Sequence, residues 1–119
     1  MVIHPGVSVP TKDVFQSPEL TRNTPLITIR AAFGPADVTA TRNDCEPVVR
    51  ARYAEVADAL DWLWKSAPAR LTGTGSCIFA AFESAIEAER VAARTPDRWR
   101  AFVARGMNVS PVVGRVTRE

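Results

Sequence analysis

The chain has 119 residues, 46% of them hydrophobic and 24% charged, with a formal net charge of +2. That is one domain's worth of chain with enough apolar residues for a core, which excludes a compositionally disordered segment. The cations are nearly all arginines scattered along the chain, with lysine only at positions 12 and 65, and so mild a balance argues against nucleic-acid binding. No apolar run reaches the roughly 18 residues that a membrane crossing needs. The N-terminus also lacks the charged start and apolar stretch of a signal peptide, so a cytoplasmic protein with no membrane partner is expected. Two cysteines, Cys45 and Cys77, and the single histidine, His4, support neither a zinc site nor a disulfide scaffold. Both cysteines read as small core residues, and His4, with no partner carboxylate or nucleophile beside it, reads as structural.

In chain order, residues 1–9 read as a strand, with Val2 and Ile3, then Val7 and Val9, around the Pro5-Gly6 irregularity. Residues 10–25 contain three prolines with Ser17, Asn23 and Thr24, a loop with at most a short helical turn around Asp13–Gln16. Leu26-Ile27-Thr28-Ile29 alternates like a strand, but Gly34-Pro35 and a polar stretch follow, so residues 26–42 are expected to be irregular or mobile. A helix starts near Asn43. Asn43 and Glu46 have the spacing of a capping box, and Pro47 is tolerated in a first turn. Val49, Tyr53, Val56, Leu60 and Leu63 then recur at helical spacing, forming one apolar face. Trp62 and Trp64 flank that stripe and read as cover for a helix–sheet seam; Pro68 ends the helix.

Cys77–Phe82 is an apolar run short enough for a buried strand. A second helix is expected over about Ser84–Arg94, with Ser84 as cap and Ile86 and Val91 among alanines on its inner side. Thr95-Pro96-Asp97 stops it, and a short turn carries Trp99. Ala101–Arg105 reads as the last clear strand, and Asn108–Val113 as a further edge. The pattern is α+β, with helices over one face of a mainly antiparallel sheet.

Residues 71–79, Leu-Thr-Gly-Thr-Gly-Ser-Cys-Ile-Phe, are the most informative stretch. Glycines at 73 and 75 permit backbone angles denied to other residues and let another group approach the main chain. Such a turn can present amides to a phosphate, although from the glycines alone an ordinary turn before a strand is the simpler reading. Three further motifs surround it: His4-Pro5-Gly6-Val7-Ser8-Val9-Pro10-Thr11, Asn43-Asp44-Cys45-Glu46, and Phe102-Val103-Ala104-Arg105-Gly106-Met107-Asn108-Val109-Ser110-Pro111. In this order, and with Arg70–Ala80 between them, they resemble the C-terminal half of the GHMP small-molecule kinases, in the branch that acts on a diphosphocytidyl-linked methylerythritol.

The resemblance implies a ferredoxin-like GHMP kinase C-terminal domain over residues 1–119, with a first strand that begins upstream of Met1. It implies ATP and Mg²⁺ as cosubstrates of the whole enzyme, in isoprenoid precursor synthesis. Phosphoryl transfer needs a triphosphate cradle, a group that orients the acceptor and charge compensation. The resemblance assigns the ATP loop and the catalytic Asp and Lys to an N-terminal kinase domain whose motifs are not in these residues. No catalytic residue is therefore expected here, no metal ligand, and no activity or tight ATP binding from the chain alone. Thr72, Gly73, Thr74, Gly75 and Ser76 are expected to support the phosphate loop by facing the missing domain.

The resemblance also assigns Phe15 to stacking on a cytosine ring, with Thr11 nearby, although Lys12 stands where relatives often carry proline. On spacing alone, Phe15 reads first as a core anchor of a short helix. Asn43 and Asp44 read as a helix cap, and Asn108, beside Arg105 and Gly106, as a candidate partner of the Gly loop. The alternative class is a non-catalytic binding module whose uncovered interdomain face drives self-association.

Overall fold

A computed structural model describes residues 1–26 and 41–116. The strand-like alternation at 26–29 and the irregularity expected up to 42 fall almost wholly on residues 27–40, outside the described residues. The described elements are β1 (Val2–His4), α1 (Thr11–Phe15), α2 (Cys45–Arg52), α3 (Ala54–Trp64), β2 (Ala69–Leu71), β3 (Ile78–Ala80), α4 (Ala85–Ala93), β4 (Arg100–Phe102) and α5 (Pro111–Val116). The four strands form one sheet in the order β2-β3-β1-β4, and every neighbouring pair is antiparallel. Strand–helix–strand–strand–helix–strand in this spatial order is the ferredoxin-like arrangement expected from the sequence.

Alternation along the strands divides the sheet into two faces. Ile3, Ala69, Leu71, Ile78 and Ala80 point to one face and are buried with Val48, Val49, Val56, Ala59, Leu60, Leu63, Ala88 and Val91 of the helices. Burying each large aliphatic side chain contributes about 1.5–3 kcal/mol, so this face holds the layers together. The opposite face carries a row across all four strands, Arg70–Phe79–Val2–Phe102, set by the register Arg70↔Phe79, Val2↔Phe79 and Val2↔Phe102. Phe102 is 54% exposed in that row.

The long helix expected after Asn43 is two helices. Tyr53 is extended (φ −125°, ψ 95°); its amide still donates to Val49 O, and its carbonyl accepts from Val56 and Ala57. It thereby ends α2 and starts α3, while the apolar spacing runs on because both helices bury against the same sheet. Trp62 covers the seam as expected, edge-to-face with the buried Trp99 at 6.0 Å between ring centroids. Trp99 donates from Nε1 to Glu55 Oε2 at 2.9 Å. Trp64 does not join them and is 48% exposed.

Several boundaries also differ. β1 stops at His4, whose Nδ1 accepts from the Gly6 amide at 2.9 Å, and Gly6 turns the chain away at φ +82°. In α4, Ser84 caps as expected by accepting from Glu87 N at 3.2 Å, but Ile86 is exposed while Ala88 and Val91 face the core. Residues five apart on a helix are about 140° apart around its axis, so Ile86 and Val91 cannot share a face. The edge strand expected over Asn108–Val113 is not formed; Pro111 instead opens α5, with Ser110 Oγ accepting from Val112 N. Cys45 and Cys77 are half-buried at the margin of the core.

Candidate functional site

The β2–β3 connection is closed by its own main chain. Thr72 N donates to Cys77 O at 2.9 Å and Gly75 N to Thr72 O at 2.7 Å, while Thr72 Oγ1 adds a bond to the same Cys77 carbonyl. Gly73 and Gly75 hold φ of +50° and +88°, a region where side chains are strained. The two glycines serve different ends. A Cβ at Gly75 would meet Leu71 Cδ1 at 2.9 Å, whereas one at Gly73 would meet nothing within 4 Å. Gly75 is thus required by packing under the loop, and Gly73 leaves open space on its outer side. Among the described residues the amides of Gly73 and Thr74 make no hydrogen bond. Ser76 is buried, and Thr72 is exposed.

Three elements hold this loop. Asn43 Nδ2 donates to Leu71 O at 3.0 Å and to Gly73 O at 2.7 Å, while its Oδ1 accepts from Cys45 N at 3.0 Å. Glu46 Oε1 accepts from Leu71 N at 2.8 Å. From α1, Thr11 Oγ1 meets Thr74 Oγ1 at 3.2 Å. The capping-box spacing at Asn43 and Glu46 therefore has a different use. Asn43 caps the start of α2, but Glu46 reaches the loop strand instead of the Asn43 amide, so the pair clamps the loop onto the helix. Nothing in the sequence separates these readings, because a capping Glu and a bridging Glu need the same position.

Thr11 and Phe15 are four apart on α1 and so lie on one face of it. With Thr11 against Thr74, the two segments named as site candidates from the sequence meet through this one contact. Phe15 is 51% exposed, and Val14 is the residue that anchors α1 in the core at 1%; the core-anchor reading of Phe15 is thereby excluded. A hollow of about 380 Å³ lies beside the loop, lined by His4, Gly6, Ser8, Gly75, Ser76 and Cys77.

Asp44 binds Thr24 Oγ1 at 2.7 Å and pairs with Arg42 Nε at 2.7 Å, so it fastens the approach to α2 and does not cap it. Burial, and then the adjacent Asp44 charge, push the Cys45 thiol above its ordinary range, so at neutral pH it is protonated and a poor nucleophile. Asn108 is exposed in the segment after β4; the loop's bonds go to Asn43, Glu46 and Thr11. Among the described residues no group of His, Cys, Asp and Glu is placed to hold a metal ion, and no helix is long and apolar enough to cross a membrane.

Residues 29–101, more than half the chain, match the family described as GHMP kinases C terminal. The chain belongs to that family. Among its curated relatives is a protein of Chromohalobacter salexigens named 4-diphosphocytidyl-2-C-methyl-D-erythritol kinase, 50% identical over 114 residues, which are 94% of this chain and 38% of that relative. A Vibrio cholerae protein of the same name is 48% identical over 112 residues, 94% of this chain and 37% of its own length. The chain thus spans under two fifths of the relatives it matches. The matched residues include β2, β3 and the Gly loop between them, whereas β1 lies before residue 29.

Proposed function

We propose that this chain is the substrate-side domain of an ATP-dependent kinase that phosphorylates the 2-hydroxyl of 4-diphosphocytidyl-2-C-methyl-D-erythritol, in non-mevalonate isoprenoid precursor synthesis. The observation that carries the reading is the held loop: Gly73 and Thr74 have unused amides on an open side, and Asn43, Glu46 and Thr11 fix the backbone behind them. Fixed donors are worth more than mobile ones where charge develops, because no reorganisation is needed at the moment of reaction. In this reading Gly73 and Thr74 donate to phosphate oxygens, Thr72 and Ser76 shape the turn, and Gly75 keeps Leu71 packed beneath it. Phe15 offers its exposed ring to cytosine, a contact of the order of 1–3 kcal/mol, and Thr11 ties that ring's helix to the loop.

Membership of a kinase family implies ATP as phosphoryl donor. Mg²⁺ accompanying ATP would neutralise charge on the transferring group; its ligands and the catalytic residues are assigned to an N-terminal kinase domain acting as partner. The chain alone is then inactive, and its location cytoplasmic. Mixing the chain with the N-terminal part of the Vibrio cholerae relative should give ATP-dependent phosphorylation of the diphosphocytidyl substrate. A folded, associated pair without turnover would sink the reading.

A second reading, a self-associating module without chemistry, is favoured by the apolar row Phe79–Val2–Phe102 and by exposed Met107, Val109, Val112 and Val113. Patches of this kind mark interaction surfaces. Sedimentation that stays monomeric at high concentration would eliminate it.

A further inference from the structure

The helix that carries Phe15 is too short to hold itself. α1 has five residues, and no side chain caps its start at Pro10; isolated helices of fewer than about 12 residues are marginal in water. Its setting is therefore decided by what fastens it from outside. Val14 sinks into the core, and Thr11 meets Thr74 at the N-terminal end. Phe15 is the last residue of the helix and half exposed, so the placing of its ring depends on how the C-terminal end is held.

Two arginines and one buried hydroxyl fasten that end. The last carbonyls of a helix lack intrahelical partners, and basic side chains can supply them. Arg22 does so here, donating from Nη2 to Phe15 O and, at 3.4 Å, to Ser17 O. Ser17 is 1% exposed and is the hub of the arrangement. Its amide donates to Val14 O and its carbonyl accepts from Leu20 N, each at 3.2 Å. Its Oγ accepts from Glu19 N and from Arg52 Nη2, each also at 3.2 Å. Arg52 is the last residue of α2, so this hydroxyl ties the end of α1 to the end of α2. Among the described residues neither arginine pairs with a carboxylate; their hydrogen bonds go to the backbone of Phe15 and Ser17 and to the Ser17 hydroxyl.

We propose that Arg22 is a positioning residue, which sets the backbone of Phe15, with Arg52 acting through Ser17, so that the exposed ring is placed to stack on a pyrimidine base. This rests on the reading of Phe15 as the ring that meets cytosine, and adds what holds it. Binding contacts have to be kept within about 0.5 Å of their productive geometry by supporting groups. A half-exposed ring at the end of a five-residue helix draws that support from its backbone. Removing the Arg22 guanidinium leaves Phe15 O without its donor and lets the end of α1 shift, while Val14 and Thr11 keep the rest of the helix in place.

In the full chain with isotope-labelled phenylalanine, NMR signals of the Phe15 ring should move toward those of an unstructured peptide in Arg22→Ala and in Ser17→Ala, while those of Phe102 on β4 stay in place. In the pair formed with the N-terminal part of the Vibrio cholerae relative, Arg22→Ala should raise KM for the diphosphocytidyl substrate about fivefold, the lower end of what an aromatic–base stack contributes. kcat and KM for ATP should not change, whereas a purely structural loss would lower kcat through the fraction of folded enzyme. In a Phe15→Ala background the same substitution should alter KM by less than about twofold, because the ring it positions is gone. Unmoved Phe15 signals in both variants overturn the proposal, as do equal shifts at Phe15 and Phe102. It is also overturned if Phe15→Ala raises KM and Arg22→Ala does not, or if the Arg22→Ala effect persists undiminished without the ring. A displaced ring together with a KM that Phe15→Ala leaves unchanged would sink the stacking reading while upholding Arg22 as the residue that holds the ring.

Discussion

The two ends of the sheet are built on opposite terms. At the Gly-loop end, polar side chains reach across to β2 and the loop after it, Asn43 to Leu71 O and Gly73 O, Glu46 to Leu71 N and Thr11 to the Thr74 hydroxyl. At the other end, Ala81, Phe82, Val103 and Ala104, which follow β3 and β4, line a cavity. Side-chain clamps fix a loop by directed bonds without occupying its outer surface, whereas apolar walls such as Phe82 and Val103 offer burial without direction. One end is therefore held by directed polar bonds, and the other is lined by apolar side chains.

Substitutions sharpen this contrast. The largest effect is expected from Leu71→Ala, which empties a core position directly beneath Gly75 and should cost about 2–5 kcal/mol in urea unfolding. Gly75→Ala is expected to cost about 1–3 kcal/mol through its positive φ, with an added clash against Leu71. In the Leu71→Ala background that clash is removed, so a double-mutant cycle should show coupling of at least about 0.5 kcal/mol; strict additivity would mean the loop end is not packed as described. Asn43→Ala should cost about 1–3 kcal/mol, since it leaves two carbonyls without their donor. Exchange at Thr72 and Gly75, whose amides bond Cys77 O and Thr72 O, should quicken in that variant while Ala80, bonded to Met1 O, stays unchanged, and equal effects at both ends would break the comparison.

Smaller effects follow. Ser84→Ala removes the α4 cap beside the cavity and should cost about 1 kcal/mol without altering loop exchange. The Cys45 thiol has a folded-state pKa raised above 9.0, first by burial and then by Asp44. The folded chain therefore holds this proton to higher pH than the unfolded chain does. The corresponding stability is complete below pH 9 and is lost as pH rises from there through the folded value. Thermal midpoints should fall more steeply above pH 9 in the parent than in Cys45→Ala, and parallel curves would show that the thiol is not buried as the fold requires.

Much of the arrangement was legible in advance because local signals and tertiary packing agree. The spacing of Val49, Val56, Leu60 and Leu63 marks a buried helical face whether or not Tyr53 interrupts it, and Ser84 caps α4 through atoms three residues apart. Where sequence reading failed, the deciding partner was distant. Nothing near Tyr53 announces that two helices share one stripe, and Ile86 belongs to an inner face only if angular spacing is ignored. The Asn43–Glu46 spacing is the same for a self-contained cap and for a clamp, and the partner that distinguishes them, Leu71, is 25 residues away from Glu46.

The sequence by itself determined the fold class, the buried strand within Cys77–Phe82 and the motifs that single out the Gly loop, because these follow from periodicity, backbone freedom at glycine and the order of short segments. Only the tertiary structure decided that Gly75 answers to Leu71 while Gly73 faces open space, that Thr11 meets Thr74, and that Glu46 bonds Leu71. Each of those depends on atoms brought together by strand pairing and helix packing, and hydrogen-bond pairing across a sheet is a property of neighbours that no single strand carries.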